Sequence, residues 1–96
     1  MDREIGVKVF VASIFTKEFK LNPRFAMKVR TVKDLVSNIE KMASGFTDSI
    51  YDETGTIRPF VNLFVNGANI SSREDVLNTP LRDGDSVCIF PSVAGG

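Results

Sequence analysis

The sequence contains no histidine and a single cysteine, Cys88. The absence of histidine removes every histidine-based catalytic triad. Together the two shortages remove the usual cysteine/histidine zinc sites. One cysteine cannot close an intramolecular disulfide. No apolar run approaches the roughly 20 residues that a membrane-spanning helix needs. The charged start, Met1-Asp2-Arg3-Glu4, is not that of a signal peptide. A cytoplasmic protein with no membrane partner is expected. An excess of either charge is also missing. Lys plus Arg number 12 and Asp plus Glu number 12, so nothing basic argues for a nucleic-acid partner.

What is present suffices for one domain. The 96 residues are too few for two, and 43% of them are hydrophobic, enough to build a core. Residues 5–15 carry strand alternation, with Val7, Val9 and Val11 facing the core and Lys8, Phe10 and Ala12 facing out. A polar break at Thr16-Lys17-Glu18 separates this strand from a hairpin partner in residues 19–29. There Phe25, Met27 and Val29 alternate with Arg24, Ala26 and Lys28, and Pro23 marks an edge. Thr31 and Asp34 resemble a capping box. Val32, Leu35, Val36, Ile39, Met42 and Ala43 then recur at helical spacing up to a stop at Gly45.

Residues 46–58 read as a loop with a turn at Asp52-Glu53-Thr54-Gly55. Phe60 to Val65 reads as a third strand ending at Asn66-Gly67. Ser71 to Leu81 is irregular, with room for a short helical turn. Asp83-Gly84-Asp85 is a turn before a last strand from Ser86 to Phe90, and Pro91 ends its pairing. The order β-β-α-β-β implies an α+β fold. One helix covers one face of a mixed four-stranded sheet, with the first and last strands parallel at its centre. The expected division is a domain over 1–91 and a flexible tail over 92–96.

The tail ends in Gly95-Gly96. Glycine has no side chain and tolerates almost any backbone angle, so such an end can thread a narrow channel and present a carboxylate. Pro91 would stiffen the exit from the last strand. The plain alternative is a frayed end without a role, and on the tail alone the two readings are about even.

The run Asp83-Gly84-Asp85-Ser86-Val87-Cys88-Ile89-Phe90-Pro91-Ser92-Val93-Ala94-Gly95-Gly96 resembles the C-terminal signature of the molybdopterin-synthase small subunit and its relatives. Arg58-Pro59-Phe60-Val61-Asn62-Leu63-Phe64-Val65-Asn66-Gly67 looks like the third strand of the same ubiquitin-like sulfur-carrier superfamily. The resemblance implies a β-grasp fold and a carrier rather than an enzyme. In the molybdopterin branch that carrier would be the small subunit of the synthase, in molybdenum-cofactor biosynthesis. Thiamine-type and cysteine-type sulfur carriers share the pattern; the 46–58 segment makes this chain long for the thiamine type, and the Phe60–Asn66 strand and the Pro91–Gly96 ending suit the molybdopterin or cysteine types better. The resemblance also implies a chemistry. An E1-like enzyme would adenylate Gly96 with ATP, and a sulfur donor would convert it to a thiocarboxylate. A sulfur-accepting enzyme, such as a molybdopterin-synthase large subunit, would take the sulfur. No cofactor would be bound permanently. A related class is attached to target lysines through the same glycine, and a third reading is a passive interaction domain.

If the helix covers one sheet face, alternation puts Phe10, Phe64, Cys88 and Phe90 on the other. With Gly95 and Gly96 as the reacting end, partner contact is expected at Phe10, Phe64, Phe90, Pro91, Val93 and Ala94. The competing expectation is that the 46–58 loop folds over these aromatics. Cys88 is read as an apolar filler without a catalytic role. Asp83 and Asp85 are read as turn residues rather than an acid pair, and Lys33 and Lys41 as solvated helix positions.

Overall fold

A computed structural model describes residues 6–91, with Glu18 described by its backbone alone. The five-stranded sheet has the order β2-β1-β5-β3-β4. Its strands are β1 (Gly6–Val11), β2 (Arg24–Lys28), β3 (Val61–Val65), β4 (Ala68–Asn69) and β5 (Ser86–Pro91). Three helices, α1 (Ser13–Phe19), α2 (Val32–Met42) and α3 (Phe46–Ile50), and a 3-10 turn at Val76–Asn78 complete the fold. None of these helices is long and apolar enough to cross a membrane.

The first and last strands meet at the centre of the sheet. β1 and β5 pair in parallel, with Lys8 opposite Ser86 and Val11 opposite Ile89. β2 flanks β1 and β3 flanks β5, both antiparallel. Alternation sends Val7, Val9, Val11, Val87, Ile89, Val61 and Leu63 to one face, where α2 covers them with Val32, Leu35, Val36 and Ile39. Each such aliphatic side chain contributes about 1.5–3 kcal/mol on burial. Thr31 caps α2, its hydroxyl accepting from the Asp34 N–H at 3.1 Å. Asp34 reaches back one residue further than a capping box requires, to the Arg30 N–H at 3.1 Å.

Several expectations need correction. The Thr16-Lys17-Glu18 segment is not a polar break but part of α1. Phe15 and Phe19 lie one helical turn apart, and Phe15 and Thr16 are buried. The β-branched Ile14 and Thr16 imitate a strand, which is why the first strand was expected to reach residue 15. Residues 46–58 are not one loop either. Phe46 and Ile50, also one turn apart, are fully buried in α3, and the Phe46 ring meets Phe19 edge-on at 5.6 Å.

Gly45 does not stop α2 but adopts a left-handed φ of 95° that starts α3. The Glu40 carboxylate accepts the N–H groups of Gly45 and Thr47, both at 2.8 Å. These bonds, Gly45 first, hold Glu40 below its ordinary pKa. The remainder of the segment is closed by a bridge between Tyr51 and Ile57, and Asp52 accepts from Thr54 and Thr56.

The sheet has a fifth strand, β4. It follows a turn in which Asn66 (φ 50°) and Gly67 (φ 85°) are both left-handed, the geometry of a tight two-residue hairpin. The third strand starts at Val61 rather than Phe60. Pro91 does not end the pairing of the last strand but continues it, opposite Val61. Met42 is 58% exposed and lies outside the core.

Truncation should separate these two helical positions. Phe46→Ala should cost about 3–5 kcal/mol, the usual range for a buried phenylalanine. Met42→Ala should stay within about 0.5 kcal/mol, as exposed positions do. Urea denaturation of both variants checks this, and similar losses would contradict the role of α3 in sealing the core.

Candidate functional site

The sheet face opposite α2 carries an aromatic cluster. On β5, Val87 and Ile89 point to the core, so Ser86, Cys88 and Phe90 point away from it. On β1 the same parity turns out Lys8 and Phe10, and on β3 it turns out Asn62 and Phe64. Register brings them together, with Cys88 opposite both Phe10 and Phe64. The Phe90 ring lies 5.4 Å from Phe10, tilted by 43°, and 5.8 Å from Phe64, edge-on at 78°. These separations fall in the favourable range for aromatic pairs. The Arg24 guanidinium carbon sits 5.3 Å over the Phe10 ring, a cation–π arrangement.

Phe90 is 37% exposed, and Phe10, Phe64 and Cys88 are half-buried. A shallow groove of about 690 Å³ runs along β2, β1 and β5, lined by Phe10, Cys88, Phe90, Lys8 and Arg24 among others. Residues 46–58 do not cover this face. Phe46, Ile50 and Ile57 bind that segment into the core on the helix side.

The strand that carries Phe90 also carries the exit of the chain. Pro91 is half-buried and is the last described residue. The expected tail, with Val93, Ala94, Gly95 and Gly96, lies outside the described residues. Five residues can span at most about 17 Å, which bounds the distance from Pro91 to Gly96. One residue at this site went unnoticed in the sequence. Arg24 joins the cluster by reaching over Phe10. The parity of β2, which puts Arg24 on the same face as Phe10 opposite it, was a usable signal.

The turn before β5 fixes its start. The Asp83 carboxylate accepts the Gly6 N–H at 2.9 Å, which ties the turn to the first residue of β1. Asp85 accepts the Asn66 amide at 2.9 Å and the Arg82 N–H at 2.8 Å, and Asn66 in turn accepts the Ser86 N–H at 2.9 Å. Gly84 supplies the left-handed φ of 88° between them. Both aspartates therefore serve the turn. Among the described residues, no group of three or more Cys, Asp or Glu is arranged to hold a metal. Lys33 and Lys41 are exposed on α2.

A central parallel pair, a helix across one face and an exit strand beside an aromatic patch form the ubiquitin-like β-grasp arrangement. The ThiS family matches residues 13–96, from α1 through the terminal diglycine. The chain belongs to the ThiS family. This ThiS-family chain is 37% identical over 68 residues to the sulfur carrier protein CysO of Mycobacterium tuberculosis, covering 69% of this chain and 72% of that one. It is 36% identical over 66 residues to small archaeal modifier protein 3 of Haloferax volcanii, covering 69% and 70%. A solved Amycolatopsis orientalis BexX/CysO complex contains a chain that superposes with a TM-score of 0.80 at 26% identity. That match covers 94% of this chain and 99% of its counterpart.

Asp85 makes the turn sensitive to acid. The Asn66 amide first, and then the Arg82 N–H, hold its pKa below the ordinary 3.8. The folded protein therefore binds this proton less readily than the unfolded chain does. The stability contribution is complete above about pH 3.8 and is lost as pH falls through the lowered folded value. Asp85→Asn has no group to titrate, so its fall in Tm between about pH 6 and about pH 2.5 should be smaller than that of the parent. Equal falls in a pH series of thermal melts would refute the assignment.

Proposed function

We propose that this chain is a sulfur carrier whose working atoms are the Gly96 carboxylate. The observation that carries the reading is the ThiS-family match, which runs through the diglycine and includes the Asp83–Phe90 turn and strand. The geometry supports it. A rigid sheet presents Phe10, Phe64 and Phe90 beside the strand from which the terminal residues continue.

The carboxylate alone is inert because oxide is a poor leaving group. A partner of the E1 type would let it attack the α-phosphorus of ATP, releasing pyrophosphate and forming an acyl-adenylate. A sulfide-level donor would then attack the carbonyl and expel AMP, leaving a thiocarboxylate. That sulfur is anionic and soft, suited to attack on an activated acceptor. The chain supplies recognition and delivery, and its partners supply the catalytic groups and the ATP site. Use of ATP by that partner supports a cytoplasmic location.

The likeness to CysO of Mycobacterium tuberculosis at 37% identity, and to a chain of the BexX/CysO complex with a TM-score of 0.80 at 26% identity, favours the cysteine type of sulfur acceptor over the molybdopterin type. A second reading rests on the likeness to small archaeal modifier protein 3. In it, a lysine amine rather than sulfur displaces AMP, and the product is an isopeptide bond.

Gly95 and Gly96 are the reacting end in both readings. Phe10, Phe64, Phe90 and Pro91, with Val93 and Ala94, form the partner contact. The exposed Lys8 and Arg24 at the rim favour an acidic border on the partner.

Mass measurement after incubation with the cognate adenylating enzyme, ATP and a sulfur donor tests the chemistry. Trypsin cuts after Arg82 and releases Asp83–Gly96, which lacks methionine and contains Cys88. After alkylation, two added groups and one oxygen replaced by sulfur are expected. One added group, on Cys88, with Gly96 unchanged would contradict sulfur carriage. Lysine conjugates in its place would establish the modifier reading.

The aromatic contact makes a separate kinetic prediction. Phe90→Ala should raise the KM of the adenylating enzyme for the carrier about tenfold or more and change kcat little, as loss of a binding anchor does. An unchanged KM would remove Phe90 from the interface.

A further inference from the structure

The chain has six asparagines, and only Asn66 is followed by glycine. Glycine has no side chain to shield its own backbone nitrogen, so that nitrogen can approach the preceding amide. The fold sets the pair in the tight turn between β3 and β4, with φ values of 50° and 85°. Asn66 is exposed, and a Cβ added at Gly67 would meet nothing within 4 Å. Among the described residues, no group accepts the Gly67 N–H.

The Asn66 side chain, by contrast, is held at both ends. Its Nδ2 donates to the Asp85 carboxylate at 2.9 Å, and its Oδ1 accepts the Ser86 N–H at 2.9 Å. The Asn66 N–H donates to the Ser86 carbonyl at 2.8 Å. One amide side chain therefore ties the β3–β4 turn to the start of β5.

We propose that Asn66 is a site of covalent modification, deamidated through a succinimide when this turn opens, and that its bonds to Asp85 and Ser86 are the lock that restrains the reaction. Bringing the amide carbon to the Gly67 nitrogen swings both side-chain atoms away from their partners. The Gly67 nitrogen then bonds to Cγ and gives up its proton, the Cγ–Nδ2 bond breaks, and ammonia leaves. Water opens the ring to aspartate or isoaspartate, and a groove of about 370 Å³ lined by Asn66 and Asp85 admits it.

Neither product rebuilds the lock. Aspartate has no donor for Asp85 and sets a second carboxylate against it, although Arg73 and Arg82 line the same groove. Isoaspartate adds a methylene to the main chain, which the two-residue turn does not accommodate. Each event thus leaves the start of β5 looser than before. The inference does not depend on the chemistry of Gly96.

The test incubates the full chain in mildly alkaline buffer, with and without urea, and follows conversion of amide to acid by mass. The tryptic peptide Met42–Arg73 also holds Asn62 and Asn69, which serve as internal controls. Conversion is expected at Asn66 first, and faster in urea than in the folded chain. Asp85→Ala should speed it about tenfold or more in the folded chain, as loss of a hydrogen bond to a charged group does, and leave the rate in urea unchanged. A second measurement serves if that variant does not fold. Asn66→Asp should lower Tm, and adding Asp85→Asn should restore most of it, because the reversed pair again joins one amide to one carboxylate. Four outcomes would each overturn the proposal: earlier conversion at Asn62 or Asn69, equal rates with and without urea, a parental rate in folded Asp85→Ala, or no recovery in the reversed pair.

Discussion

The parallel pairing of β1 with β5 is the constraint on which the rest of the molecule depends. It joins residues near opposite ends of the sequence, through bonds such as Lys8 N–H to the Asp85 carbonyl and Ala12 N–H to the Ile89 carbonyl, both 2.9 Å. Parallel neighbours cannot be linked by a tight turn, so the intervening chain must cross the sheet, and α2 is what crosses it. Strand alternation then gives the pair two different faces. Val7, Val9 and Val11 with Val87 and Ile89 build the core beneath α2, and Phe10, Cys88 and Phe90 build the aromatic patch. Core and patch are thus set by a single register. A slip of one residue between these strands would invert both.

The elements that close the core around this pair are short and depend on their surroundings. α3 spans five residues, and isolated helices of that length do not form in water. It stands because Phe46 and Ile50 are buried and because Glu40, a residue of α2, accepts two N–H groups around its first turn. α1 likewise holds through Phe15 in the core and Phe19 against Phe46. These helices therefore follow from tertiary packing rather than from local preference.

That difference explains what was legible in the sequence. β1, β2, β3 and β5 each have a buried and a wetter face, so their alternation is visible in the residues themselves. The same alternation placed Phe10, Phe64 and Phe90 together without any structure. α2 is long enough to show its period and carries its own cap. α1 and α3 offer one apolar repeat each, which alternation can imitate in Ser13–Thr16 and which a turn signal can hide after Gly45. β4 has only two residues, too few for any pattern. Met42 shows the limit of periodicity. It continues the Leu35–Ile39 stripe, but at the last position of α2 that stripe has passed the covered part of the sheet, and the side chain emerges beside β2.

The architecture also divides recognition from reach. The aromatic patch is rigid because its backbone lies in the two central strands and in β3, and its rings brace one another at 5.4 and 5.8 Å. Of the five residues that follow Pro91, two are glycine and none is aromatic. A partner that holds Phe90 fixes the position of Pro91 one residue later, and with it the sphere of about 17 Å in which Gly96 can act. Under the proposed function, docking on this face would confine the Gly96 carboxylate before any contact with the tail is made. The translational and rotational entropy of bringing the two proteins together would then be lost in the docking step, and only the ordering of the last five residues, about 1–2 kcal/mol per residue, would be left to the reaction site.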